Sequence, residues 1–174
     1  MRMAQGLNVD LTVGMALSRT EKTVAAQKLV VKLQKDYPNN TVVKTFWLPT
    51  IRAAVELKNS NPTKAIEYLE LTQPYELNPY QNLYPAYVRG QARLMMHDGA
   101  AAATEFQKLI HYRGVVQNDP VGALAHLQLG RAYAVQGDST KAKAAYQEFL
   151  TLWKDADPDI PVLKQAKVEY AKLQ

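Results

Sequence analysis

The only side chains in this sequence that could exchange a proton near neutral pH are three histidines, and His97, His111 and His126 stand apart from one another. None lies in an H-E-x-x-H stretch or has a carboxylate at ligand spacing, so the residues indicate neither a zinc centre nor a histidine base. The run Asp155-Ala156-Asp157-Pro158-Asp159 has the alternating acids that open a calcium loop. Its sixth place, however, is Ile160 where glycine is needed, and its twelfth is Ala166 where a bidentate glutamate belongs. The run is instead read as a linker in which Asp159 caps the following helix. There is no cysteine, so thiolate metal sites, thiol nucleophiles and disulfides are excluded. No phosphate-cradling glycine loop, no G-x-S-x-G, and neither H-R-D nor D-F-G occurs. The chain is expected to act by binding, with no catalytic residue, metal or cofactor.

The elements that would present a binding surface follow from composition and periodicity. The 174 residues are 47% apolar and 21% charged, as in folded chains, enough for one domain or a short repeat array. The formal net charge is +5, but the basic residues are spread from Arg2 to Lys172 without a dense run. They read as solvated helix faces, and no direct nucleic-acid contact is expected. Met1 to Asp10 lacks a signal-peptide apolar run, and no 18-residue apolar stretch occurs, so membrane insertion is not expected either.

Self-similarity then sets the architecture. Gly130, Ala142 and Tyr146 are separated by steps of 12 and 4, and the same steps recur in Gly90, Ala102 and Phe106. Moving further back gives Ala53, Ala65 and Leu69, then Gly14, Ala26 and Val30, at offsets of 37 and 39. Small residues at fixed places mark close helix crossings, and the large residue four places on is expected to fill the space between one helix pair and the next. Leu129-Gly130-x2-Tyr133 followed by Ala142-x3-Tyr146 resembles the tetratricopeptide (TPR) pattern.

The expectation is an all-α, right-handed solenoid of about four helical hairpins plus a C-terminal capping helix, filling residues 1–174 as one domain. Units are expected near 3–38, 41–72, 81–113 and 120–155, with the cap over 159–173. Nine helices are predicted, from Met3 to Leu17, Glu21 to Asp36, Thr41 to Lys58, Pro62 to Leu71, Gln81 to His97, Ala100 to Tyr112, Pro120 to Gln136, Ser139 to Lys154 and Ile160 to Leu173. Pro49 and Pro85 should make their helices kink or start late. Asn61 and Asp119 precede prolines as N-caps, and Gly137-Asp138 reads as a stop and a new cap.

The stretch from Pro120 to Gln174, with Leu48 to Leu57 and Leu83 to Ala92, resembles the C-terminal TPR region of bacterial, acidobacterial-type, eukaryotic-like serine/threonine kinases. That resemblance implies an accessory segment without kinase activity. It implies a protein or peptide partner held on the concave face, and alternatively a regulatory segment packed on the kinase or DNA-binding domain of its own parent. The location implied is cytoplasmic, or extracytoplasmic in a membrane-anchored kinase. Counting along the TPR pattern places Trp47, Thr50, Tyr84, Tyr87, Gln91, Leu127, Gln128 and Arg131 on the groove face. The aromatics would anchor an apolar or extended ligand, and Arg131 would pair with an acid. The lysine and asparagine of a TPR carboxylate clamp are missing.

Overall fold

Proline placement shapes the first half of the chain. The computed structural model describes residues 6–78 and 82–173, and every regular element among them is helical. The expected helix starts at Met3 and Gln81 lie outside the described residues. The contacts divide the chain into two compact units, Met1–Asn78 and Pro79–Gln174.

In the first unit α1 (Leu7–Ser18) and α2 (Thr23–Asp36) precede a π-helical turn, Val43–Trp47, which runs directly into α3 (Leu48–Lys58). Pro49 sits in the first turn of α3. Its missing N–H and bulky ring are accommodated by the widened turn before it, so regular α geometry starts late, as the proline predicted. α4 (Pro62–Leu69) continues into a 3-10 turn, Glu70–Tyr75. Asn61 does not cap α4 through its side chain, which donates instead to the Glu56 carboxylate at 3.1 Å. The stretch after the expected helix end at Leu71 begins inside that 3-10 turn, with Thr72 buried and its hydroxyl donating to the Leu69 carbonyl at 2.7 Å. α3 packs on α1, α2 and α4 and is the central helix of the unit. A Cβ on Gly14 would stand 2.8 Å from Ile51 Cδ1, so the missing side chain lets α1 and α3 approach.

The second unit holds α5 (Tyr84–Met95), α6 (Gly99–His111), the single turn α7 (Arg113–Val116), α8 (Pro120–Val135), α9 (Ser139–Leu152) and α10 (Pro161–Ala171). Pro85 lies in the first turn of α5, where its missing donor costs nothing. Asp98, Asp119 and Asp138 cap α6, α8 and α9 by accepting from the amides of Ala101, Val121 and Lys141. Asp159 does not cap α10: Ile160 holds that place, while Asp159 pairs with Lys164 at 2.7 Å. α8 packs on α5, α6 and α9, and α9 on α10.

The small residues lie where the repeat placed them. Ala26, Ala53, Ala65, Ala102 and Ala142 are all fully buried. The large residues also fill space within their own helix pairs. Phe106 covers Gly90, where an added Cβ would meet the ring at 2.6 Å, and Tyr146 covers Gly130, where the corresponding distance is 2.8 Å. Each ring therefore lies over the glycine of its own helix pair, using the space that glycine leaves, in addition to any role between pairs. All nine expected helices are present in the described residues, joined by the π turn, the 3-10 turn and α7.

Candidate functional site

Eight residues were expected on one face, and the six candidate partner contacts among them, Trp47, Tyr84, Tyr87, Gln91, Gln128 and Arg131, fall into three settings. Trp47 belongs to the first unit; it is half-buried in the π turn and stands edge-on to Phe46 at 5.4 Å. The other five are in the second unit, on α5 and α8, the two helices that begin its first two helix pairs and that pack on each other.

Tyr84 opens α5 and is drawn to the start of α8. Its hydroxyl donates to Asp119 Oδ2 at 2.9 Å, where the Asn82 amide also donates at 3.0 Å, while Asp119 Oδ1 caps α8. Asn82 and Leu83 both have left-handed backbone, with φ of 54° and 53°, and the carboxylate and the buried Leu83 side chain hold that entry in place. Tyr87, one turn into α5, is 1% exposed, with its ring edge-on to Phe106 at 5.9 Å. Its hydroxyl accepts a long hydrogen bond of 3.4 Å from the buried Gln128 amide on α8. Tyr87 and Gln128 thus join the two helices from inside. Thr50 and Leu127, also expected on the groove face, are fully buried; the Thr50 hydroxyl donates to the Phe46 carbonyl.

The next turn of each helix is more open. Gln91 is half-buried, and its side chain makes no hydrogen bond among the described residues. Arg131, at the matching place on α8, is half-buried and clamps Glu169 of α10 with two bonds, Nε to Oε2 at 2.8 Å and Nη2 to Oε1 at 2.9 Å. The Tyr146 hydroxyl of α9 also donates to Glu169 Oε2 at 2.8 Å, and Gln165 donates to Oε1 at 2.8 Å. Four donors on one carboxylate form a charge-assisted network.

Its electrostatics follow from that geometry. Burial pushes the Glu169 carboxyl up, but the bonds from Arg131, Tyr146 and Gln165 outweigh it and hold the group below the ordinary glutamate range. Burial pulls the Arg131 guanidinium down, and the Glu169 bonds and charge more than reverse that. Burial, reinforced by Glu169, pushes the Tyr146 phenol far above its usual value. These are stable ionisation states at neutral pH, suited to recognition by fixed charge.

Sequence reasoning missed Glu169, Tyr146 and Gln165 as parts of this network. A signal for Glu169 was present: counting 39 residues on from Gly130 arrives at Glu169. In that register the inward places of five helices, Leu11, Thr50, Tyr87, Leu127 and Ala166, recur three residues before each marker and are all buried. In that register Glu169 stands where the other four helices carry a small residue.

His126 is half-buried, and burial pushes its imidazole down against an opposing pull from Glu148. Among the described residues no group of three or more His, Asp or Glu side chains could hold a metal ion, and no helix is long and apolar enough to cross a membrane. No family model, curated protein or solved structure matches the chain.

Proposed function

We propose that this chain is a non-catalytic interaction module of the tetratricopeptide kind, a right-handed solenoid of about four helical hairpins ended by α10, which binds a peptide or protein on the face of its first helices. Support comes from the repeat register, from small residues buried at its marked places, and from first helices that pack on each other within each unit, α1 on α3 and α5 on α8. The observation that carries the binding reading is Gln91. A half-buried amide with its donors and acceptor open, flanked on α5 by the immobile Tyr87 and matched on α8 by Arg131, is pre-organised to bond an extended backbone.

The test is capture of a partner by the purified chain, followed by titration of the identified partner against wild type and Gln91→Arg. The reading expects amide-exchange protection on α5 and α8, and at least about tenfold weaker binding by Gln91→Arg at an unchanged melting temperature. Protection confined to other helices, or equal binding by Gln91→Arg, refutes it. Tyr87→Ala is unsuitable for this purpose, because removing so buried a ring costs about 3–5 kcal/mol and disturbs the fold.

A further inference from the structure

Glu169 is bound as a ligand would be. Its carboxylate takes two bonds from Arg131 on α8 and one from Tyr146 on α9, and neither donor belongs to the helix that carries it. α10 seats Leu163 and Ala166 fully in the apolar cluster formed with Leu127, Tyr146 and Phe149, while Val168 on its other face is open to solvent. Leu163, Ala166 and Glu169 follow one another at steps of three, so one helical stripe delivers a large apolar group, a small group and an acid to α8 and α9. The connection from α9 to α10 contains Asp155, Asp157, Pro158 and Asp159, all exposed, while its Trp153, Ala156 and Ile160 are partly buried against the same cluster.

We infer that α8 and α9 form a receptor for an acidic amphipathic helix, which α10 fills in cis, so that a partner helix of the pattern Leu-x2-Ala-x2-Glu competes with α10 for Arg131 and Tyr146. The partner is chosen by charge and shape complementarity: a guanidinium and a phenol hydroxyl aimed at one point demand a carboxylate, and the buried Ala166 leaves room there only for a small side chain. This regulation rests on the reading of the chain as a binding module. α10 would lower the apparent affinity of such a partner by the fraction of time that it occupies the receptor.

The probe is a fluorescein-labelled peptide of residues 161–173, with blocked ends, titrated against the full chain. The wild-type chain should bind it weakly and Glu169→Gln at least about tenfold more tightly, because the internal competitor has lost its charge. The same peptide carrying Gln at the Glu169 place should lose that gain, as should the double variant Arg131→Gln/Glu169→Gln. Hydrogen exchange read in parallel should show faster exchange in α10 of Glu169→Gln, with α8 and α9 unchanged.

Unchanged α10 exchange in Glu169→Gln overturns the idea that the carboxylate holds α10. Faster exchange without tighter peptide binding overturns the receptor. A concentration-dependent dimer of the wild-type chain that Glu169→Gln abolishes assigns the receptor to α10 of a second copy and overturns the choice of a foreign helix. Should Glu169→Gln unfold locally, Tyr146→Phe, which removes one donor, must still narrow the preference for the Glu peptide over its Gln counterpart, a ratio from which competition by α10 cancels, and an unchanged ratio overturns the proposal. The peptide assay does not involve Gln91, so its failure leaves the α5 and α8 partner test standing, and the converse also holds.

Discussion

Gly90→Ala is the sharpest probe of how the helix pairs close. The added methyl would lie 2.6 Å from Phe106 Cε1 and Cζ and 3.1 Å from Cδ1, where carbon contacts settle at about 3.5–4.0 Å. The ring must therefore retreat by about 1 Å. It has little room, since Phe106 is fully buried and has Tyr87 against its edge. Such overpacking costs about 1–3 kcal/mol, and the gain in helix propensity from glycine to alanine returns about 1 kcal/mol. The net expectation is a loss of about 0–2 kcal/mol, read by urea unfolding followed by helical circular dichroism. Gly114→Ala is the control, because an added Cβ there meets nothing within 4 Å, and it should be neutral or stabilising. Phe106→Leu in the Gly90→Ala background should cost less than in wild type by about 1 kcal/mol, since the two changes share one space. Gly90→Ala stabilised by the full propensity gain of about 1 kcal/mol, or no coupling to Phe106, would refute the ring-over-glycine account.

Other outcomes follow from the same packing and charges. Ala142→Leu, at a fully buried crossing, should cost about 1–3 kcal/mol and lower the melting temperature, and an unchanged melt would put the repeat register in error. Glu105→Gln removes the carboxylate that Arg89 meets at 3.0 Å with both side chains largely buried, and should cost about 3 kcal/mol by urea unfolding; Arg89→Met with Glu105→Leu should recover most of it. The Glu105 carboxyl is pushed up by burial but held lower overall by Arg89 and Lys108, and Glu169 is lowered in the same net sense. Because both are depressed in the folded state, the stability that they supply is complete above the ordinary glutamate value of about 4.3 and is lost as pH falls through their lower folded values. Melts from neutral pH downward should show the gap between wild type and Glu105→Gln closing only below that value, and a gap that closes near neutrality would contradict the sign.

Periodicity made the helices legible because a buried crossing tolerates only small residues, and Ala26, Ala65, Ala102 and Ala142 report that constraint directly. Prolines were equally plain, since Pro49 and Pro85 admit few helical positions. The type of turn before Pro49 was not legible, because the proline demands relief without specifying a π turn. Side-chain partners were hardest to read. Asn61 had Glu56 within reach and turned from its cap, and Asp159 chose Lys164. Spacing says which way a residue faces, and it does not say which of several donors or acceptors will claim it. The same gap separates the expected groove face from the observed burial. Counting put Tyr87 and Leu127 on the face, yet their places are the inward ones of the register, while Gln91 and Arg131, one turn further on, are half-buried, as are Trp47 and Tyr84.

The central claim is that a partner lies against α5 and α8. A photo-crosslinking amino acid placed at Gln91, and separately at the exposed Gln147 on α9, tests it directly in lysate of the source organism. The account predicts one discrete crosslinked product from position 91 and none from position 147. Crosslinking from position 147 alone, or from neither position while the folded chain is present, would contradict it.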